Sequence, residues 1–487
     1  MNCVSVRRPA PATARGRAGT FVHTPCGVSW RSLAALGGLH VLLAGVLAAV
    51  LESAAGFWWH LGAHALLFVP LLLVVAPALG GTVHAGRRQL VIVLAAAALS
   101  RALLLPTTPA LSGDVYRMAW EGQVVLDGKD PWAQPPDDPA LAELAAAHPE
   151  LRERVGYWKL PAIYPPFAQL FGAGVGWISP SVTVLKAALL LAEAALIAAL
   201  IALLASRGQN PLVVAAYAWN PLPLTEIAGS GHGDALAVAF LFLALLALER
   251  GRVAGAAALA ALSGMTKFAG FALLPFLLRR VRDRRRQRTA LGAGGAVVLA
   301  ALAPFLTPAR LADGFVARFQ EFGFSLWHYA RHWRFNDSLF SPLDTVLGGA
   351  ARPAAFAVLI VLAAALVIRR RPPGLSLALL AGAAFLLSPV AHPWYLLWTL
   401  PFLVVHPERR GLLAAGLTMT LTVAFSYHAY WTIPPGLDWT LPTWVRVAEY
   451  LPVPLAALVF GRRGQSSDGR SPADSSRRKC ATASAAA

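Results

Sequence analysis

Three short stretches of this sequence gather ionisable side chains at spacings that can do chemistry. In LSGDVYRMAWEG (111–122), Asp114, Arg117 and Glu121 recur at helical spacing and so share one face of a helix. A carboxylate beside an arginine at a water–lipid boundary stays ionised and can take a proton from an attacking hydroxyl, which is the work of a general base. The plainer reading makes Asp114 a helix N-cap and Arg117 its surface partner at i+3. In GSGHGD (229–234), His232 and Asp234 sit among small residues ahead of an apolar run. Ionisable groups at that depth are functional candidates, against a plainer reading as a glycine turn with Asp234 capping the next helix. The pair alone is no metal site, and no complete ligand set accompanies it. The third stretch, SGMTKF (263–268), holds Lys267 inside apolar sequence. A lysine there either snorkels to the interface or meets an anion, and a phosphate at the membrane surface is the functional partner.

The elements that must position these groups follow from composition. The 487 residues are 57% hydrophobic and 14% charged, with mean hydropathy +0.58. Soluble domains carry roughly a quarter charged residues. Apolar stretches near the ~20 residues needed to cross a bilayer recur at 32–51, 61–79, 89–105, 182–205 and 289–306. The chain is read as an all-α polytopic membrane protein. The net charge of +18 does not point to nucleic acid, because the bases lie in short patches between apolar segments. The densest, RRVRDRRRQR (279–288), has seven arginines. Such patches mark the cytoplasmic side, whereas the polar insertion 106–162 has nine acids against five bases and suits the outer side.

Alternating the spans between these patches puts both termini inside. It puts 106–162, GSGHGD, 307–338 and 427–439 on the outer side. Segments 253–278 and 374–405 each lie between two basic patches, so each is expected to be a hairpin. The first breaks near SGMTKF and the second at SPVAHPWY (388–395). Segment 163–178 must not cross fully if the later parity is to hold, and is read as interfacial or re-entrant. Residues 1–31 and 462–487 read as disordered cytoplasmic tails around a membrane domain, 32–461. Cys3, Cys26 and Cys480 lie in those tails and suggest neither disulfides nor cysteine catalysis. The tryptophans at 132, 158, 327, 333, 394, 431 and 439 suit an interfacial belt. IYPPF (163–167) and HPW (392–394) are proline-stiffened turns that can aim Tyr164 or His392 at the site.

Taken in order, GDVYRMAWEGQVVLDGKDPWAQPPDDPAL, IYPPFAQLF, AWNPLPLTEIAGSGHGDAL, MTKFAGFALLPFLLRR, FNDSLF and SPVAHPWYLLWTLPFL resemble bacterial GT-C glycosyltransferases. The polyprenyl-phosphate-mannose-dependent mannosyltransferases are the relatives in view, over roughly residues 85–460. The resemblance implies a bundle of about 12–14 transmembrane or re-entrant helices. It implies an inverting transfer of a hexose, mannose in the nearest relatives, from a polyprenyl-phosphate donor. The acceptor is a cell-envelope glycan or glycolipid, and no cofactor or metal is called for. It implies Asp114 as base, where many relatives have two adjacent acids. Lys267, with Arg117, Arg331 and Tyr164, would hold the donor phosphate and sugar. Glu121, His232, Asp234, Asn336, His392 and Trp394 would orient acceptor or donor. The site would face the periplasm or exterior of the inner (plasma) membrane. A transporter or flippase of lipid-linked sugars is the alternative. It calls for paired broken helices in repeated halves, and the sequences of the two hairpins are not alike.

Overall fold

The computed structural model describes residues 29–53, 56–83, 85–433 and 439–468. The expected tails lie almost wholly outside them, as do the three cysteines. In chain order the principal helices are α1 (Trp30–Glu52), α2 (Phe57–Leu79), α3 (Arg87–Leu104), α4 (Asp114–Leu126), α5 (Pro166–Ile178) and α6 (Val182–Ser206). Then come α7 (Asp234–Glu249), α8 (Val253–Thr266), α9 (Leu273–Arg280), α10 (Arg284–Leu302), α11 (Phe315–His332) and α12 (Phe340–Leu347). The last are α13 (Ala351–Ile368), α14 (Pro373–Leu387), α15 (Arg410–Thr422), α16 (Thr443–Tyr450) and α17 (Pro452–Asp468). The first and last helices thus reach slightly into the segments read as tails. Among the described residues the one extended pairing is an isolated parallel bridge between Phe335 and Val390.

Among the described residues seven helices are long and apolar enough to cross a bilayer, and an eighth span is possible if the bent pair Pro221–Gly229 and Asp234–Glu249 counts as one. That pair turns through 120° at the GSGHGD break. The rest of the expected membrane segments are shorter. Val253–Thr266 ends where Lys267 takes an extended conformation (φ −144°, ψ 129°), and the chain continues through a 3-10 turn into α9. The second hairpin breaks likewise, between Leu387 and the turn Pro393–Trp398. Both breaks fall at the sequence positions where they are expected. At ~1.5 Å rise per residue, the 13 residues of α5 extend only ~20 Å, short of the ~30 Å apolar core.

Two charged groups buried in the bundle have partners on other elements. The Arg101 guanidinium on α3 grips the Glu193 carboxylate on α6 through two bonds of 2.6 and 2.7 Å and donates to the Ala218 carbonyl at 2.8 Å. Removing one member of such a pair strands the other charge, at about 3–5 kcal/mol. The Lys186 ammonium, also buried on α6, donates to the carbonyl of Thr107 at 2.7 Å and ties the end of α3 to this helix. These contacts fix the floor on which α4 and the 106–162 insertion rest.

One close approach positions the site. Helices α4 and α5 cross where Gly122 meets Gly172. A Cβ on Gly122 would come within 2.4 Å of the Gly172 carbonyl carbon, and one on Gly172 within 2.8 Å of the Met118 carbonyl oxygen. Small residues let the two backbones touch. The start of α5, and Tyr164 just before it, is thereby held against the start of α4.

Candidate active site

Asp114 and Asp234 are each the first residue of their helix, after Gly113 and Gly233. The helix macrodipole favours a carboxylate there. Neither carboxylate folds back to cap its own helix. Asp114 Oδ2 accepts the Tyr164 hydroxyl at 2.9 Å. Asp234 accepts the Lys267 ammonium on Oδ2 at 2.6 Å and the Trp398 indole N–H on Oδ1 at 2.7 Å. The capping reading of these two acids therefore gives way to one in which they tie elements together.

Lys267 does not snorkel away from this cluster. Its ammonium lies 5.4 Å from the centroid of the Tyr164 ring, so one tyrosine joins a carboxylate at its hydroxyl to a cation over its face. Burial, and then the nearby Asp114 charge, push the Tyr164 phenol well above its usual pKa, so it remains a hydrogen-bond donor. Asp114, Tyr164 and Lys267 are each half-buried, whereas Asp234 is buried.

Arg117 and Glu121 hold the framework beneath Asp114. Arg117 Nε donates to Glu121 Oε1 at 2.5 Å. Its terminal nitrogens donate to the carbonyls of Gly156 and Tyr157, each at 3.1 Å, and to that of Leu160. Glu121 Oε2 accepts the Gln169 amide of α5 at 2.7 Å. The expectation that Arg117 grips a donor phosphate is thus revised. Its donors are engaged by the 156–160 loop, and it clamps that loop over α4. The Glu121 carboxylate is buried in the same clamp and turned to α5.

His232, Trp394 and His392 form a column of stacked rings. His232 stacks on Trp394 at 4.0 Å between centroids, Trp394 on His392 at 4.2 Å, and His392 on Phe335 at 4.7 Å. Trp394 stacks on both imidazoles, so His392 reaches the His232 ring only through it. Two other expected residues lie apart from the cluster. Asn336 has φ +54°, and its amide donates to Glu449 Oε1 at 2.8 Å and to the Ala391 carbonyl at 3.3 Å. It shapes the loop beneath His392. Arg331 is exposed near the C-terminal end of α11, 5.3 Å over the ring of Trp327, and makes no contact with Asp114 or Lys267.

The cluster also contains residues that the sequence reading did not single out. Glu226 is fully buried in a π-helical segment, Leu224–Gly229. It accepts the Tyr427 hydroxyl and faces His232. Tyr329 of α11 and Tyr395 share a 2.5 Å hydrogen bond between hydroxyls, which links the outer helix to the turn carrying Trp398. The signal for Glu226 was available: it is the lone acid in the apolar run NPLPLTEIAG. Nothing in the spacing marked the tyrosines.

The geometry offers a carboxylate, an ammonium with donors to spare and a buried imidazole within one cluster, on a helical membrane scaffold. Residues 17–281 match the N-terminal domain of the alpha-(1->6)-mannopyranosyltransferase family. The chain belongs to that family. The match covers more than half of the sequence and includes Asp114, Glu121, Tyr164, Glu226, His232, Asp234 and Lys267, while the His392–Trp398 turn lies beyond it. None of the curated proteins compared with the chain matches it. This family member is a membrane-embedded glycosyltransferase of the mannosyl-transferring kind, which the likeness to GT-C enzymes implied.

Proposed function

We propose that this enzyme moves mannose from a polyprenyl-phosphate-linked donor to a cell-envelope glycan or glycolipid, in one inverting displacement. The observation that carries the proposal is the Tyr164 bridge, with Asp114 at its hydroxyl and Lys267 over its ring. Asp114 removes the proton from the acceptor hydroxyl as that oxygen attacks the anomeric carbon. The bond to the phosphate breaks on the opposite face, and the leaving phosphate keeps the electron pair. That departure needs little protonation but does need cations where charge develops. An ammonium has three donors, and Asp234 occupies one of those of Lys267, which leaves two for phosphate oxygens. Tyr164 keeps base and cation apart, so the carboxylate is not neutralised by the lysine. The site faces the periplasm or exterior of the inner membrane, and both termini are cytoplasmic.

The test supplies membranes containing the enzyme with mannose-labelled polyprenyl phosphate or with a mannose nucleotide, plus a membrane acceptor extract. Label should pass to product from the lipid-linked donor alone, and the product linkage should have the anomeric configuration opposite to that of the donor. Transfer directly from the nucleotide in membranes stripped of polyprenyl phosphate, or retention of configuration, would contradict the proposal.

A further inference from the structure

The π-helical segment that carries Glu226 brings together a buried carboxylate, a tyrosine and a histidine that the mechanism above does not use. Tyr427 of the penultimate apolar segment donates to Glu226 Oε1. His232 Nδ1 lies 3.1 Å from the Glu226 carbonyl oxygen and 2.9 Å from Oε2 of the same residue. With two acceptors beside it, Nδ1 carries a hydrogen. Trp394 stacks on the ring at 4.0 Å and holds its plane. The opposite nitrogen, Nε2, is buried and has no hydrogen-bonding partner among the described residues. Single π turns of this kind occur frequently at functional sites.

Charge decides what Nε2 offers. The Lys267–Asp234 pair is neutral as a unit, yet Asp114 and Glu226 add two more carboxylates around the same cluster. A phosphodiester brought beside them meets excess negative charge unless a second cation is present. The carboxylates facing the imidazole are Glu226 on the π segment, Asp114 at the start of α4 and Asp234 at the start of α7. The nearby cations are Lys267, bonded to Asp234, and Lys186 of α6, which packs against Gly231 and gives its ammonium to the carbonyl of Thr107. His392, the other imidazole, stacks on Trp394. Burial opposes a charged ring, and three carboxylates favour it.

We propose that Glu226 is a positioning residue that holds His232 as an imidazolium, whose Nε2–H donates to a phosphate oxygen of the lipid-linked donor. This inference rests on the polyprenyl-phosphate reading and names a second cation for it. Lys267 and His232 then approach the phosphate from α8 and from the GSGHGD break, and Asp234 tethers the lysine.

The experiment measures affinity for mannose-labelled polyprenyl phosphate against pH, with the full chain in nanodiscs, for wild type, Glu226→Gln and His232→Gln. The diester stays singly charged throughout, so any change in affinity reports the protein. Wild-type affinity should weaken as pH rises through the imidazolium titration. Glu226→Gln should move that weakening about one to three pH units lower, the usual effect of removing an adjacent opposite charge, while affinity at the acid end stays within a few-fold of wild type. His232→Gln keeps an N–H but cannot titrate, so it should bind several-fold more weakly and without the pH step. An unchanged step in His232→Gln, or a Glu226→Gln profile scaled down equally at every pH, would overturn the inference. Absence of donor binding by wild type at any pH would overturn the donor reading itself, and this inference with it. Binding does not depend on proton removal, so the result stands apart from the assignment of Asp114.

Discussion

The Tyr164 hydroxyl donates to Oδ2 of Asp114 at 2.9 Å, joining the entrance of α5 to the first turn of α4. A hydrogen bond to a charged acceptor is worth about 1.5–3 kcal/mol, and here it also aims the carboxylate. Tyr164→Phe should therefore lower kcat about ten-fold or more with a smaller effect on donor KM. Burial and the Asp114 charge hold the phenol well above its usual pKa. The neutral, donating form thus persists through roughly pH 6–9, below the ordinary tyrosine value near 10. The variant should accordingly keep the shape of the wild-type pH–rate profile. An alkaline limb present in wild type and absent in Tyr164→Phe would show instead that the phenol titrates in turnover.

Lys267 and Asp234 should behave as a unit. Asp234 is 1% exposed, so Lys267→Met leaves a buried carboxylate held by Trp398 alone. That should cost about 3–5 kcal/mol, read as a lower Tm in detergent. Asp234→Asn should cost less, because the lysine side chain, 19% exposed against 1% for Asp234, can reach water. Their combination should recover stability towards wild type without restoring transfer. Additive losses in the double variant would mean that the two side chains do not interact.

Gly122 sets the distance between α4 and α5 and, through it, the Tyr164–Asp114 bond. Gly122→Val places a branched side chain where a Cβ alone would lie 2.4 Å from the Gly172 backbone. Overpacking of this kind costs about 1–3 kcal/mol, and the displaced α5 carries Tyr164 with it. The variant should lose activity at temperatures where most of the protein remains folded. Full activity would show that the crossing does not govern the site.

Arg117 clamps the 156–160 loop by its backbone carbonyls. Lys159 is the exposed basic residue within that loop. In Arg117→Gln, trypsin should cut after Lys159 markedly faster than in wild type, as mass spectrometry of the fragments would reveal. Equal rates would place the order of the loop elsewhere.

The parts of this architecture that follow from chain-local physics were readable beforehand. Segments 253–278 and 374–405 are each expected to break between two basic patches, and the chain does break at Lys267 and at 388–392. Segment 163–178 reads as interfacial or re-entrant from charge parity, and its helix α5 has only 13 residues. Acids and bases beside apolar runs marked Asp114, His232, Asp234 and Lys267; contacts through Tyr164 join Asp114 to Lys267 and its partner Asp234, while His232 stacks on Trp394. What sequence could not reveal is which charges already have partners. Arg117 looks like an anion ligand until the 156–160 carbonyls are seen around it. Arg331 and Asn336 have suitable chemistry, but α11 and the Asn336 turn direct them elsewhere. Glu226 is a lone acid in the apolar run NPLPLTEIAG. Its significance depends on a π turn and on Tyr427, some 200 positions away in sequence, and contacts at that separation leave no local periodicity.

The central claim is that Asp114 removes the acceptor proton. The most direct measurement compares membranes with equal amounts of wild type and Asp114→Asn, given mannose-labelled polyprenyl phosphate and the membrane acceptor extract. An amide is nearly isosteric, still accepts the Tyr164 hydroxyl and has no useful basicity. Transfer should fall at least 100-fold, the lower end of what positioned acid–base groups contribute, while donor binding persists. Transfer at a rate near wild type by Asp114→Asn would remove Asp114 from the role of base and contradict the account.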